Sequence, residues 1–310
     1  MLARIRIPLL AVLLAASSAC TIRHIDLAQL QVPGGHDMNA MGDMSPVSVV
    51  SAGDVLAPPQ DMSIPAGATT VADRLAKSPR HGEYAMVRTG PNDSLRVWVV
   101  YPQRRDKAPV VVVIHEIYGE STWVRGVADQ LAADGFIGIE ANLLYGKTQL
   151  DHDTVTTAVA TRAIQQLKAD DVQRQLTAVA QWGMSLPSAL PKYGIVGFCW
   201  GGGKSFDHAV LSPPGLAAAV VFYGTPAAGA DLAHVGVPVF GFYGGSDARI
   251  SSTVPATDST MRALHKSYEH QIFDGAGHGF MRAQDVPANA AAAQKAWPLA
   301  IQFFRKFLGT

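Results

Sequence analysis

Val110-Val-Val-Val-Ile114 is the run that most limits the architectures open to this chain. Five successive β-branched residues cannot alternate between core and solvent, so the strand they form must be covered on both faces. Such strands belong to mostly parallel sheets with helices packed above and below. From Arg80 onward the chain agrees, because apolar runs alternate with helical patterns in the βαβ manner. Strands are expected over residues 95–101, 110–115, 136–142, 193–198, 216–223, 237–243 and 268–273. Helices are expected over residues 122–133, 170–182, 203–211, 257–266 and 291–308, the last kinked or divided at Pro298.

The first 79 residues read differently. Arg4 and Arg6 precede an apolar run from Ile7 to Ala16 that is too short to span a bilayer, and Ser17-Ser18-Ala19 supplies small residues before Cys20. Residues 1–19 are therefore expected to be a signal peptide, and the chain to be exported to the periplasm. Cys20 leaves two readings open: a lipid-anchored N-terminus, or ordinary cleavage with Ser17 and Ala19 as the small pair. Ser17 stands where the usual lipobox carries Leu. Residues 20–79 are rich in Pro, Gly, Ser and Met without a sustained hydrophobic period, as in a flexible arm. His36, Met38, Met41 and Met44 have soft-metal chemistry, but a solvated linker accounts for them. Residues 80–310 form the expected catalytic domain.

Bulk charge narrows the partners. Lys plus Arg and Asp plus Glu balance at 25 each, with no long basic run, which argues against nucleic acid and acidic polymers. The chain has two cysteines and one of them, Cys20, belongs to the leader, so no structural disulfide is expected. Membrane contact is expected only through an N-terminal lipid.

Gly197-Phe-Cys199-Trp-Gly201 follows the apolar strand that begins at Tyr193 and precedes a helix-compatible stretch. That is the layout of a nucleophile elbow with sulfur at its apex. The turn is sharp, and the flanking glycines remove Cβ atoms that would collide. In an open parallel sheet the reacting groups gather at the carboxyl ends of strands. Glu116 ends the valine strand, Asp247 follows the 237–243 strand, and His278 lies in the glycine-rich loop after 268–273. The order nucleophile, acid, histidine is that of α/β-hydrolases. An imidazole raises the thiolate fraction of a thiol and later protonates the leaving group, and an Asp fixes the tautomer of that imidazole. Asp274 is a rival acid, but it lies too close in sequence to His278 to come from a separate strand end. His115 reads as a strand-end residue packed near the site.

The pieces His115-Glu-Ile-Tyr-Gly119, Gly197-Phe-Cys-Trp-Gly-Gly202, Gly244-Gly-Ser-Asp247 and Gly277-His-Gly-Phe-Met-Arg282 resemble the dienelactone hydrolase family of the α/β-hydrolase superfamily. The resemblance spans most of residues 80–310. It implies an α/β-hydrolase fold, a mostly parallel central sheet flanked by helices on both faces. It also implies a Cys199–His278–Asp247 triad, with Glu116 paired to the resting thiol, and an oxyanion hole from the backbone N–H groups of Ile117 and Trp200. Arg282 matches the family arginine that holds a substrate carboxylate, and Tyr118 and Tyr145 are candidate pocket walls. The family's second substrate-binding arginine has no counterpart in residues 151–160; Lys147 and Arg162 are only nearby. The activity so implied is hydrolysis of a small ester or lactone, which can carry a carboxylate, through a thioester acyl-enzyme. No cofactor or metal is implied.

Two other functions compete. Gly201-Gly-Gly-Lys204-Ser205 is reminiscent of a nucleotide-binding phosphate loop, but that pattern needs glycine where Phe198 stands. A catalytically silent ligand-binding protein on a hydrolase scaffold would have no reason to keep every reacting residue.

Overall fold

Val111 and Val113 point into one apolar core, and Val110, Val112 and Ile114 into another. The computed structural model, which describes residues 63–148 and 157–309, thus gives the valine run two covered faces, and every residue of its strand is buried. The strands are β1 (Gly82–Gly90), β2 (Asp93–Val100), β3 (Ala108–Ile114), β4 (Ile137–Ala141), β5 (Ala189–Phe198), β6 (Leu216–Phe222), β7 (Val239–Gly244) and β8 (Tyr268–Phe273). They form one sheet in the order β1-β2-β4-β3-β5-β6-β7-β8. β1 and β2 are antiparallel, as are β2 and β4. From β4 across to β8 every neighbouring pair is parallel.

The helices are α1 (Val71–Ala76), α2 (Thr122–Ala133), α3 (Thr157–Gln165), α4 (Ala169–Ser185), α5 (Trp200–Leu211), α6 (Ala248–Ser251), α7 (Val254–Ala263) and α8 (Pro287–Leu308). One face of the sheet is covered by α2 and α8, through Val124, Val127, Leu131, Trp297, Ile301 and Phe304. The other is covered by α4 and α5, through Val172, Leu176, Val179, Phe206 and Ala209. Each helix presents its apolar stripe inward and its polar face outward, as an amphipathic period dictates.

Three sequence expectations need correction. Residues 63–79, assigned to the arm, pack on the catalytic domain. Ile64, Ala66 and Val71 are buried in the α2/α8 core, the N–H of Ala68 donates to the Arg282 carbonyl at 2.8 Å, and Gln284 Nε2 donates to the Pro65 carbonyl at 2.8 Å. β1 was not expected because it is an edge strand in which only Val87 and Thr89 are buried, so its hydrophobic period is faint. Of the two outcomes expected at Pro298, a kink or a division, division does not occur: α8 runs as one helix from Pro287 to Leu308. Its flanking Trp297, Ala300 and Ile301 are held in the core, and that packing outweighs the roughly 3 kcal/mol cost of an interior proline. The proposed signal peptide, Cys20 and the His36–Met44 cluster lie outside the described residues.

Candidate active site

β5 ends at Phe198 and α5 begins at Trp200, so Cys199 alone makes the corner. Its backbone sits at φ 56°, ψ −116°, a sparsely populated region for an L-residue that costs of order 1–3 kcal/mol unless its surroundings enforce it. They do so by close approach. A Cβ on Gly201 would lie 2.5 Å from the carbonyl oxygens of both Ile114 and His115, so the first turn of α5 rests directly on the end of β3. The Cys199 N–H is also anchored, donating to the Phe222 carbonyl of β6 at 3.0 Å.

Asp247 occupies the cap position of α6 yet makes no side-chain cap bond. Its carboxylate turns instead to His278, with Oδ2 2.5 Å from Nδ1. The His278 loop is tied down from two sides: Ser246 N–H donates to the Ala276 carbonyl at 2.9 Å, and Gly277 N–H donates to Asn289 Oδ1 at 2.8 Å. Nε2 of His278 then lies 3.0 Å from Cys199 Sγ. A carboxylate at Nδ1 requires the proton there, which leaves Nε2 bare to accept from the thiol. Asp274, the rival acid, is not the partner of His278.

Glu116 is buried directly after β3 and its loop. Oε1 accepts from the Tyr223 hydroxyl at 3.3 Å, and Oε2 lies 3.6 Å from Arg282 Nε. Burial pushes its carboxyl up to about 7, against the opposing pull of Arg282 and Tyr223. The family resemblance implies a resting thiol paired with this glutamate; here the sulfur faces His278, and Glu116 faces Tyr223 and Arg282. The thiol itself is pushed up to about 11, by burial first and by the Glu116 charge second, while hydrogen bonds from the Trp200 and Ile117 N–H groups pull it down. Those two N–H groups thus both act on the sulfur.

Glu116→Gln removes one of the two influences that hold the thiol neutral, so its pKa should fall. Above pH 7, where the wild-type carboxyl is ionised, iodoacetamide should alkylate Cys199 about tenfold faster in the variant for each unit of fall. Below pH 6 the wild-type carboxyl is itself protonated, and the two proteins should converge. Equal alkylation rates at pH 8 would show that Glu116 does not tune the sulfur.

The sulfur opens into a cavity of about 670 Å³ lined by Tyr118, Lys204, Tyr223, Arg249, His278 and Arg282 among others. Tyr118 is part of that wall, with the Arg282 guanidinium 4.4 Å above its ring. Tyr145 is not: it lies outside the cavity lining, under the Arg96 guanidinium at 5.4 Å. His115 packs against the Trp200 ring at 5.6 Å with Nδ1 2.7 Å from the Glu116 carbonyl, and burial pushes its pKa down to about 4. It is a neutral packing residue. Lys204, from the phosphate-loop reading, pairs with Asp207 inside α5 at 2.7 Å.

Sequence reasoning missed Tyr223 and Asn289. Tyr223 is fully buried at φ 42°, edge-on to the His278 ring at 5.1 Å. The available signal was its place at the carboxyl end of β6, the strand beside the nucleophile's. Asn289 had no comparable signal, because it acts from the first turn of α8.

Residues 95–308 match the family model described as the dienelactone hydrolase family. A curated Escherichia coli K12 protein named "Putative carboxymethylenebutenolidase" is 25% identical over 268 residues, covering 82% of this chain and 98% of its own. Among solved structures, a dienelactone hydrolase-type protein of Klebsiella pneumoniae superposes with a TM-score of 0.65 at 23% identity, covering 74% of this chain and 99% of that one. The dienelactone hydrolase-like promiscuous phosphotriesterase P91 from metagenomic libraries has the same TM-score and coverage at 20% identity. With these matches running across the sheet, the elbow and the histidine loop alike, the chain belongs to the dienelactone hydrolase family and is an α/β-hydrolase.

Proposed function

We propose that the chain hydrolyses carboxylic esters or lactones through a thioester acyl-enzyme, with Cys199 as nucleophile. The observation that carries this reading is the continuous chain Sγ–Nε2–Nδ1–Oδ2, with contacts of 3.0 and 2.5 Å, opening into one cavity. As Sγ attacks the substrate carbonyl carbon, the thiol proton passes to His278 Nε2. The carbonyl oxygen takes the electron pair and is met by the N–H groups of Ile117 and Trp200; such a donor is typically worth about 3–4 kcal/mol of barrier. Collapse of the tetrahedral intermediate expels the alcohol oxygen, which takes the proton from Nε2. Water then attacks the thioester, Nε2 accepting its proton and returning it to sulfur. Asp247 keeps the imidazole in the required tautomer and stabilises its cationic form.

Glu116 keeps the resting sulfur protonated, which suits a thiol exposed to an oxidising compartment. Arg282 and Tyr118 form the wall that meets a substrate carboxylate, since a guanidinium offers two parallel N–H donors to that group. Export to the periplasm, with lipid on Cys20 as one of two possible N-termini, completes the proposal. A diacylglyceryl group on Cys20 in the mass spectrum of the mature protein would establish the anchor, and an unmodified N-terminus would rule it out.

A panel of enol-lactones, simple esters and thioesters tests the function. The full chain should turn over at least one class well above the rate of Cys199→Ala. Equal rates for both proteins across the panel would favour a silent binding role on this scaffold.

A further inference from the structure

Glu120 is buried just ahead of α2, and no step of the proposed reaction uses it. The four residues before it, Glu116-Ile-Tyr-Gly119, make one turn, closed by the Gly119 N–H donating to the Glu116 carbonyl at 3.2 Å. That turn carries the Ile117 N–H that reaches the sulfur. Glu120 ends it with three donors converging on one carboxylate. The Tyr84 hydroxyl donates to Oε1 at 2.7 Å, while Arg96 Nη2 at 3.2 Å and Asn142 Nδ2 at 2.6 Å donate to Oε2. Two of these donors are themselves fixed from behind. Arg125 Nη1 donates to the Tyr84 oxygen at 3.2 Å, and the Leu144 N–H donates to Asn142 Oδ1 at 3.1 Å, so the Asn142 amide must turn its NH2 group to Glu120.

The clamp closes back on the turn. Leu144 belongs to a small apolar cluster on which Ile117 and Trp200 pack. A Cβ on Gly119, at φ 73°, would lie 2.9 Å from Leu144 Cδ1. Asn142 thus joins Glu120 to the cluster on which Ile117 rests. We infer that Glu120 is a positioning residue for ester hydrolysis: through Asn142 and Leu144 it holds the turn after β3 so that the Ile117 N–H meets the oxyanion. Only a group that accepts at both oxygens fits here, because all three partners donate, and an ionised carboxylate is such a group. This inference rests on the hydrolytic reading above.

Glu120→Gln keeps the shape but puts an NH2 group where only acceptors fit. In the full chain it should lower kcat for phenyl acetate about tenfold with KM within about twofold, because the donor serves acylation and deacylation alike. Adding Asn142→Asp exchanges donor and acceptor across the pair. The Glu120→Gln, Asn142→Asp double variant should therefore return kcat to within about threefold of the parent. Phenylacetaldehyde reads the oxyanion without turnover: Sγ bonds to its carbonyl carbon, the carbonyl electron pair moves to oxygen, and the thiol proton passes to His278 Nε2. Its inhibition constant should rise about tenfold in Glu120→Gln and recover in the double variant. Attack of the thiol on dipyridyl disulfide involves no carbonyl and should not slow. A kcat for Glu120→Gln within about twofold of the parent, or a double variant no better than the single one, would overturn the inference. So would disulfide attack slowed as much as turnover, the mark of a general loosening. Tyr84→Phe removes one donor from an exposed ring and decides the matter if Glu120→Gln does not fold. Its kcat should fall about threefold at unchanged Tm, and an unchanged kcat would overturn the inference. Failure of the hydrolytic reading would look different: no ester turned over faster by the parent than by Cys199→Ala.

Discussion

Cys199→Ala is expected to lower turnover of a good ester substrate by at least about 10³-fold, leaving only what the cavity and oxyanion donors supply without a nucleophile. The size of the loss follows from the absence of a substitute. Among the described residues Cys199 is the free cysteine, and it alone meets Nε2 of His278 at 3.0 Å. His278→Ala should fall by a similar amount, because the thiol, pushed up to about 11 by burial and Glu116, carries almost no thiolate at neutral pH without a base. Non-additivity is part of the expectation: the double variant should be scarcely worse than either single one, since both remove the same step. Cys199→Ser should also be much weaker than the parent. An oxygen on a shorter bond retreats from Nε2, and its proton is harder to remove. A serine variant equal to or better than the parent would mean the surroundings are not arranged for sulfur. Steady-state kinetics alongside circular dichroism, which should be unchanged in all four variants, checks these outcomes.

The second large effect is on stability. A Cβ at Gly197 would lie 1.9 Å from the Gly201 carbonyl oxygen, 2.3 Å from its carbon and 2.8 Å from the Gly202 nitrogen. All three are backbone atoms of the turn that opens α5, so no side-chain rotation relieves the clash. Gly197→Ala must therefore push α5 away from β5 or distort the corner at Cys199. A cost of about 3 kcal/mol or more is expected, which for a domain of this size lowers Tm by roughly 6–12 °C. Gly277→Ala is the contrast. Its Cβ would meet only Asn289 Oδ1 at 3.8 Å, and a change within about 1 kcal/mol is expected. Thermal melts of the two variants beside the parent decide the matter; equal Tm values would show that the elbow tolerates a wider corner.

What the sequence disclosed and what it withheld divide along physical lines. β3 was legible because five β-branched residues in a row have only one stable environment, covered on both faces. The elbow was legible because its glycines mark places where backbone meets backbone, as Gly197 and Gly201 now show. Asp247 and His278 were legible through chain order and strand ends. β1 was obscured by lying at the sheet edge with its period almost erased. The packing of residues 63–79 was hidden because a Pro- and Gly-rich stretch carries no regular period even where Ile64 and Val71 are buried. Tyr145 was a candidate pocket wall on aromatic character alone, which serves plain packing equally well; its ring lies under Arg96 and is not among the residues lining the cavity. Tyr223 stands at the carboxyl end of a strand, which the sequence shows, but its nearness to the sulfur depends on the spatial order of strands, which places β6 beside β5.

Rapid mixing of the full chain with p-nitrophenyl acetate, acid quenching, and mass spectrometry of the peptide containing residue 199 addresses the thioester most directly. One acetyl group on Cys199, formed before the steady state and removed by hydroxylamine, is the expected result. Acetylation at another residue, or steady turnover during which Cys199 is never modified, would contradict nucleophilic catalysis by this sulfur.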